Sequence, residues 1–434
     1  MIHFAGTLGF GNLASLAGDG SLFAGAARDK LEQLQAELRP LSERYDVVVA
    51  NPPYMGSSSL GKWMGTWAKK HYPEAYRDLC TSFIDRGFTL SNDQGYSAMV
   101  TMQSWMFLGS YEKLRGKLLR NHTISSMTHL GTRAFGAIGG EVVSTTATVF
   151  ANAKYETRGS YFRLVDMGSE EEKQARLLEA LADPDCGWFY RADASSFKAI
   201  PCSPIVYWGG DAIKRAFRRG TTLENTMLFK TGMVTGDNEK FLRLWWETSQ
   251  GDQCLSAKSN ADAIISGKKW FPYNKGGEFR RWYGNNDYLI NFRNEGAAIF
   301  DTAKEDKRAV TNMRPDLRFK TIVTWSLISS SLPAFRLKEY GFLYDKAGLS
   351  FYPQTRGDAL YALGLCNSSF SVQILQCLAP TMNFQLGDIW RIPYFTDRPK
   401  SPLVEKLVEE NISDSQSDWD SYETSWDFKK HPLI

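Results

Sequence analysis

Apolar residues in the first third of the chain recur in two rhythms, one helical and one strand-like. Over 26–38, Leu31, Leu34 and Leu38 share one helix face and charges occupy the other, which predicts an amphipathic helix ended by Pro40. After Asp46 comes an unbroken apolar run, Val47, Val48, Val49 and Ala50, the pattern of a buried, central strand in a parallel sheet. Pro52 and Pro53 stop it, because proline cannot continue a ladder. Helical spacing returns over 78–90 with Leu79, Phe83 and Phe88 inward, and 95–101 reads as the next strand. A helix over 111–119 and strands near 124–130 and 145–150 follow. Gly139 and Gly140 predict a tight turn before the last strand, which makes it antiparallel to a neighbour. Alternating βα units closed by a hairpin predict an α/β fold.

Beyond residue 155 the pattern changes. A charged helix over 170–181 reads as an insertion or linker with a solvated face. Residues 205–400 are richer in short strands, glycine and aromatics. Within them 231–238 is a glycine-punctuated turn, either a recognition loop or plain turn chemistry with an Asx bond. A helix is predicted over 360–378, and 379–393, with Asn383, returns the chain to the base of its domain. The tail after Pro402 is acidic yet carries Trp419, Tyr422, Trp426 and Phe428, which disordered segments usually lack, so it is predicted to dock. The expected partition is 1–155, 156–204, 205–400 and 401–434.

Composition narrows the class. A chain of 434 residues, 43% hydrophobic and 23% charged, suits a soluble globular protein of two or more domains. Its formal net charge of +3 hides an asymmetry: residues 404–434 hold eight acids against three bases, which leaves +8 on residues 1–403. That surplus is compatible with a polyanionic partner. Cys80, Cys186, Cys202, Cys254, Cys366 and Cys377 are scattered, and no histidine joins them at zinc spacing, so free thiols in a reducing cytoplasm and no metal are expected. No signal peptide is read at the start, and no apolar run approaches 18 residues, so no membrane association is expected. Residues 1–25 are glycine-rich, but a cofactor loop would need a strand before it and further βα units of about 30 residues after it. They are read as a flexible lead-in.

Candidate chemistry sits just past the strand 47–50, at the carboxyl edge where open α/β sheets bind ligands. The amide oxygen of Asn51 and the carbonyl of Pro52 can converge as two acceptors on an exocyclic amino group. Pro53 shapes the turn, and Tyr54 offers a flat face to an extruded base. The plainer alternative is a strand-ending turn with an incidental aromatic. Lys62, Trp63, Trp67, Lys69, Lys70, His71 and Tyr72 would either cover the base and touch phosphates or form an ordinary amphipathic helix. Further on, Lys268, Lys269, Tyr273, Lys275, Arg280 and Arg281 interleave bases with aromatics and predict contact with double-stranded DNA. The alternative there is a hairpin with its aromatics in a core.

The Asn51-Pro52-Pro53-Tyr54 stretch resembles the catalytic motif of amino-directed DNA methyltransferases. With 104–119, 129–141, 161–166, 231–244, 269–284, 321–331, 383–389 and 418–433, it makes most of the chain similar to the PglX-type adenine-specific DNA methyltransferases of BREX phage-defence systems. The resemblance implies the second half of a Rossmann-like methyltransferase sheet followed by an α+β target recognition domain over 205–400. It implies Asn51 and Pro52 on the adenine amino group, Tyr54 stacked on the base, and S-adenosyl-L-methionine as donor. Family members are longer, so the donor pocket is expected to lie in an upstream-encoded half or another defence-system subunit. A non-catalytic DNA-binding module is the alternative. The DNA site is not readable from sequence, since it rests on a few side chains and on DNA shape.

Overall fold

Two strands run side by side at one end of a six-stranded sheet. The computed structural model describes residues 22–135, 143–306, 310–311, 313–327, 332–378, 384–398 and 400–431. The chain divides into two units, Met1–Trp208 and Gly209–Ile434. In the first, α1 (Leu22–Ser42) leads to β1 (Tyr45–Ala50), α2 (Gly61–His71), α3 (Leu79–Leu90) and β2 (Ser91–Met102). Then come α4 (Glu112–Asn121), β3 (Thr123–Gly131), β4 (Thr145–Ala151), β5 (Arg158–Arg163), α5 (Glu170–Ala182) and β6 (Phe189–Asp193). The strand order is β1-β2-β4-β3-β5-β6. β1 and β2 are parallel, and β4 is antiparallel to both β2 and β3, as the turn signal required. Gly139 and Gly140 themselves lie outside the described residues.

Three sequence expectations need correction. β1 is neither buried nor central: it is the edge strand, and Val47 and Val49 are 56% and 73% exposed. Its apolar composition records a preference for burial that no described element satisfies. Residues 156–204 are not a linker, because β5 and β6 extend the same sheet. Pro40 does not end α1, which runs to Ser42; proline in a last turn removes a single N–H.

The packing of α3 shows how the sheet is covered. Asp78 caps it by accepting from Cys80 N at 2.9 Å. Its buried face is Cys80, Ile84, Gly87 and Phe88, with Leu79 and Phe83 only half-buried. Gly87 sets that rotation, since a Cβ there would collide with the Ser97 hydroxyl on β2. Phe88 stacks on His122 at 3.6 Å and meets Phe150 edge-on at 5.5 Å. Removing a ring of this kind from a core costs about 3–5 kcal/mol.

Two buried polar groups tie distant parts of this unit together. Arg115 is fully buried and donates to the carbonyls of Trp105 (2.8 Å), Leu108 (2.7 Å), Cys202 (2.8 Å) and Ser203 (3.2 Å). Cys202 and Ser203 are left-handed, with φ of 65° and 47°. His129 on β3 contacts Gln103 Oε1 through Nε2 (2.6 Å) and Tyr207 Oη through Nδ1 (3.0 Å). The amide oxygen can only accept, so Nε2 carries the proton and the Tyr207 hydroxyl donates to Nδ1. Burial pushes the His129 pKa down to about 3, helped by the charges of Arg163 and Lys173.

In the second unit, α6 (Asp211–Arg219), β7 (Thr221–Thr222), β8 (Leu228–Lys230), α7 (Asn238–Phe241), β9 (Leu242–Leu244) and α8 (Asn260–Ser266) precede β10 (Trp270–Asn274) and β11 (Tyr288–Asn291). After α9 (Ala297–Asp306) come β12 (Ile322–Trp325), β13 (Phe335–Lys338), β14 (Leu343–Tyr344) and β15 (Ser350–Tyr352). The unit closes with α10 (Arg356–Asn367), α11 (Ser369–Leu378), α12 (Leu386–Ile389), β16 (Pro393–Tyr394) and α13 (Ser401–Trp419). Two four-stranded sheets result, β14-β10-β11-β9 and β13-β12-β15-β8. The helix expected over 360–378 breaks at Ser368, whose extended ψ of 156° ends α10 and whose hydroxyl accepts from Ser371 N. Asn383 lies outside the described residues, while β16 pairs with β7 and so brings the chain back to where the unit starts. In the 231–238 turn, Asp237 caps α7 by accepting from Lys240 N at 3.0 Å.

The acidic tail folds onto its own unit. α13 packs on α10 at Gly364, where a Cβ would lie 2.8 Å from Val408 Cγ2. Trp419 is buried, and Trp245 Nε1 donates to the Thr424 carbonyl at 2.8 Å. Among the described residues no helix is long and apolar enough to cross a membrane, and no cluster of three metal-ligating side chains occurs.

Candidate active site and nucleic-acid interface

Asn51, Pro52, Pro53 and Tyr54 follow β1 directly, and the N-terminus of α3 fixes where they stand. Asp78 Oδ1 accepts from Met55 N at 3.3 Å as well as from Cys80 N. Leu79 N donates to the Met55 carbonyl at 2.9 Å and Ser57 N to the Arg77 carbonyl at 2.8 Å. The turn is thus clamped between the end of a strand and the cap of a helix. Within it the Tyr54 hydroxyl donates to Asn51 Oδ1 at 3.0 Å. Burial pushes the Tyr54 phenol up to about 12, so it remains a donor at neutral pH.

That bond uses one of two lone pairs on the Asn51 amide oxygen and fixes the direction of the other. Among the described residues no donor is bonded to the Pro52 carbonyl, while Pro53 and Asn51 face solvent. Pro52 itself is buried, so the turn shows solvent the Asn51 amide and a half-buried aromatic ring, and no acid or base of its own.

The helix after the turn divides its aromatics. Trp67 packs on His71 (4.8 Å) and Tyr72 (5.8 Å), the ordinary amphipathic outcome, while Trp63 stands 69% exposed. Lys69 lies over the Tyr76 ring at 5.8 Å, and Lys62 and Lys70 are exposed.

The basic and aromatic stretch of the second unit does not form one surface. Lys268 and Lys269 precede β10, whereas Lys275, Arg280 and Arg281 follow it, a strand length of roughly 20 Å away at 3.4 Å per residue. Tyr273 is excluded from nucleic-acid contact: it is 1% exposed and its hydroxyl donates to Asp345 Oδ2 at 3.0 Å. Trp270 and Phe271 are likewise buried, as in the core-hairpin alternative. The cations are not free: Lys268 donates to the Gly251 carbonyl, Lys269 lies over Trp270 (4.9 Å), Lys275 over Tyr288 (4.6 Å) and Arg280 over Trp419 (4.9 Å).

Two buried cations on β13 escaped the sequence reading. Arg336 donates to the Arg280 carbonyl at 3.0 Å, and Lys338 to the Gly284 and Asn285 carbonyls at 2.7 and 3.3 Å and to Asn286 Oδ1. Burial depresses both pKa values, that of Arg336 to about 10. In sequence they look like ordinary outward charges of a strand, and only the pairing of Trp282 with β13 places them under the loop.

Known proteins resemble this chain in sequence and in fold. The model of the Eco57I restriction-modification methylase family matches residues 22–135, the part that carries the Asn51–Tyr54 turn. The Type IIL restriction-modification enzyme MmeI, solved in complex with DNA, has a TM-score of 0.55 at 11% identity over 88% of this chain and 50% of its own. A nuclease-deletion mutant of the Type ISP enzyme LlaGI, solved with a DNA substrate mimic, has a TM-score of 0.52 at 12% identity over 93% of this chain and 44% of its own. These likenesses show a shared mixed α/β fold.

Sequence relatives refine the class. The adenine-specific methyltransferase PglX of Lacticaseibacillus casei (strain Zhang) is 38% identical over 400 residues, 91% of this chain and 33% of the relative. BrxX of Escherichia coli O9:H4 (strain HS), also an adenine-specific methyltransferase, is 38% identical over 91% of this chain and 31% of its own length. The chain is thus similar to adenine-specific methyltransferases of the PglX type over nearly all of its own length, and spans about a third of the length of these curated relatives.

Proposed function

We propose that this chain holds the target adenine and reads DNA within an S-adenosyl-L-methionine-dependent methyltransferase of a phage-defence or restriction-type system. One observation carries the reading: the clamped turn in which Tyr54 orients the Asn51 amide oxygen. Asn51 Oδ1 and the Pro52 carbonyl would accept the two N–H groups of the adenine amino group. Held so, the nitrogen lone pair is turned out of conjugation and toward the donor. The Tyr54 ring would stack on the extruded base, whose removal from the helix costs a few kcal/mol. S-adenosyl-L-methionine, when bound, supplies the electrophilic methyl group.

The turn fits the acceptor base and not the donor, since a pair of amide oxygens suits an amino group. The donor pocket is assigned to whatever covers β1. Among the described residues no strand pairs with its outer edge, and Val47, Val49 and Tyr96 form an exposed apolar strip beside the turn. A partner half that adds a strand there would extend the parallel pairing of β1 with β2, which suits the first sheet as half of a Rossmann-like one. Residues 209–434 are the proposed target recognition domain.

The test is transfer of labelled methyl groups to DNA by the chain combined with the protein encoded upstream. Asn51→Ala should lower the rate by about 10²-fold or more, the scale for losing one preorganised polar contact, while DNA binding stays within twofold. Unchanged methylation would refute the assignment. The open edge also favours a second reading, a DNA-binding module without donor chemistry. Donor binding by the lone chain in calorimetry would remove that reading.

A further inference from the structure

The loop joining β10 to β11 combines a rigid backbone with an exposed ring. Gly276 and Gly277 have φ of 96° and 117°, a region closed to other residues in practice, and Trp282 is left-handed at 71°. Several bonds hold the loop's main chain from outside it or across it. Ser326 Oγ donates to the Gly277 carbonyl (2.9 Å), Asn285 Nδ2 to that of Glu278 (3.0 Å), and Arg336 to that of Arg280 (3.0 Å). Trp282 exchanges bonds with β13 through Phe335 O (2.8 Å) and Leu337 N (3.0 Å), and Lys338 takes the Gly284 carbonyl (2.7 Å). Arg336 and Lys338 are 0% and 2% exposed, and no carboxylate of the described residues is within ion-pair distance of either. Two desolvated cations are thus committed to fixing main-chain carbonyls of a surface loop, an arrangement expensive to maintain for packing alone.

What the fixed loop projects is Phe279, 49% exposed, with the Arg281 guanidinium 5.6 Å from its ring centroid. A flexible loop could fold such a ring against the protein; this one holds it in water. A preorganised aromatic backed by a guanidinium, in a loop where Lys275, Arg280 and Arg281 stand against Glu278 and Asp287, matches the surface of a nucleic-acid base beside its phosphates. Gly277 supplies the close approach, since a Cβ there would lie 2.8 Å from Asn285 Nδ2.

We propose that Phe279 is a base-stacking residue of residues 209–434, with Arg281 positioning it and contacting the adjoining phosphate. The proposal rests on the reading that this unit binds DNA. It differs from the Tyr54 contact in unit, in partner base and in purpose: it anchors the duplex and touches no reacting atom.

Photocrosslinking tests it with the full 434-residue chain and a duplex fragment in which 5-iododeoxyuridine replaces thymidine. Irradiation at long wavelength should attach DNA to the tryptic peptide 276–280 at Phe279. Phe279→Ala should weaken binding of a 40-base-pair duplex by about tenfold or more with an unchanged salt slope, and Phe279→Trp should restore it. Because the ring is exposed, the Ala variant should keep the wild-type melting temperature. DNA bound by the Ala variant as tightly as by wild type, with adducts only outside 276–280, would overturn this proposal alone and point to a protein contact instead. Failure of the wild-type chain to retain any duplex at low salt would overturn the DNA-reading role of the unit and this proposal with it.

Discussion

The Tyr54 hydroxyl donates to Asn51 Oδ1 at 3.0 Å, so the aromatic that would face a base also sets the amide that would grip it. The two functions separate by substitution. Tyr54→Phe keeps the ring and loses the orienting bond; it should lower methyl transfer by the complemented protein about tenfold, the worth of a net hydrogen bond of roughly 1.4 kcal/mol. Tyr54→Ala loses both and should fall at least a further tenfold. Equal rates for the two variants in a single-turnover assay would show that the hydroxyl, not the ring, matters.

His129 is held neutral, and stability should report it. Its folded pKa of about 3 lies below the unfolded value near 6.5, so between these limits the unfolded chain binds more protons. Stability of the first unit is therefore full above pH 6.5 and falls as pH drops, by up to about 1.4 kcal/mol per unit from this group. Selectively labelled histidine should show the His129 ring as the Nε2–H tautomer, unchanged from pH 8 to pH 5. Titration of that signal near pH 6.5 would contradict the assigned burial.

Lys338→Met sets two effects against each other. It removes a desolvated charge, which favours the variant, and strips three buried acceptors of their donor, at about 1–3 kcal/mol each. The acceptors outweigh the charge, because all three remain in place. We expect a net loss of about 2–4 kcal/mol and a fall of roughly 5–15 °C in the melting transition of the second unit. Calorimetry on the whole chain should show the transition of the first unit unmoved.

The exposed face of β1 offers a substitution with opposite effects on the lone chain and on its proposed complex. Val49→Lys removes an exposed apolar side chain, so stability of the chain alone should stay within about 0.5 kcal/mol. Complementation by an upstream half should be lost, since a charge would meet the added sheet. Retained complementation, read as methyl transfer or co-elution, would place the partner elsewhere.

Local features of this fold are legible in the sequence and long-range ones are not. The Asn51–Tyr54 turn was legible because its four residues are contiguous and follow an apolar run. The same run misled on position, since four apolar residues state that a strand prefers burial but not which neighbour supplies it. β5 and β6 are hard to read because a charged helix separates them, although the burial of Tyr161 and Phe162 marks a core strand. The bases from Lys268 to Arg281 suggest one surface in sequence because composition does not show the strand that separates them. Nothing local could reveal that Arg336 and Lys338 point inward.

Arg115 has a consequence for how the first unit can be divided. Its guanidinium is buried among carbonyls from two places, Trp105 and Leu108 nearby and Cys202 and Ser203 almost ninety residues on. A chain ended at the apparent close of the sheet pattern, near residue 155, would keep the cation and lose half its acceptors. A piece that carries the Asn51–Tyr54 turn and keeps all four of these acceptors therefore extends at least through Ser203, and during synthesis this region would reach its final form only after residue 203 has emerged.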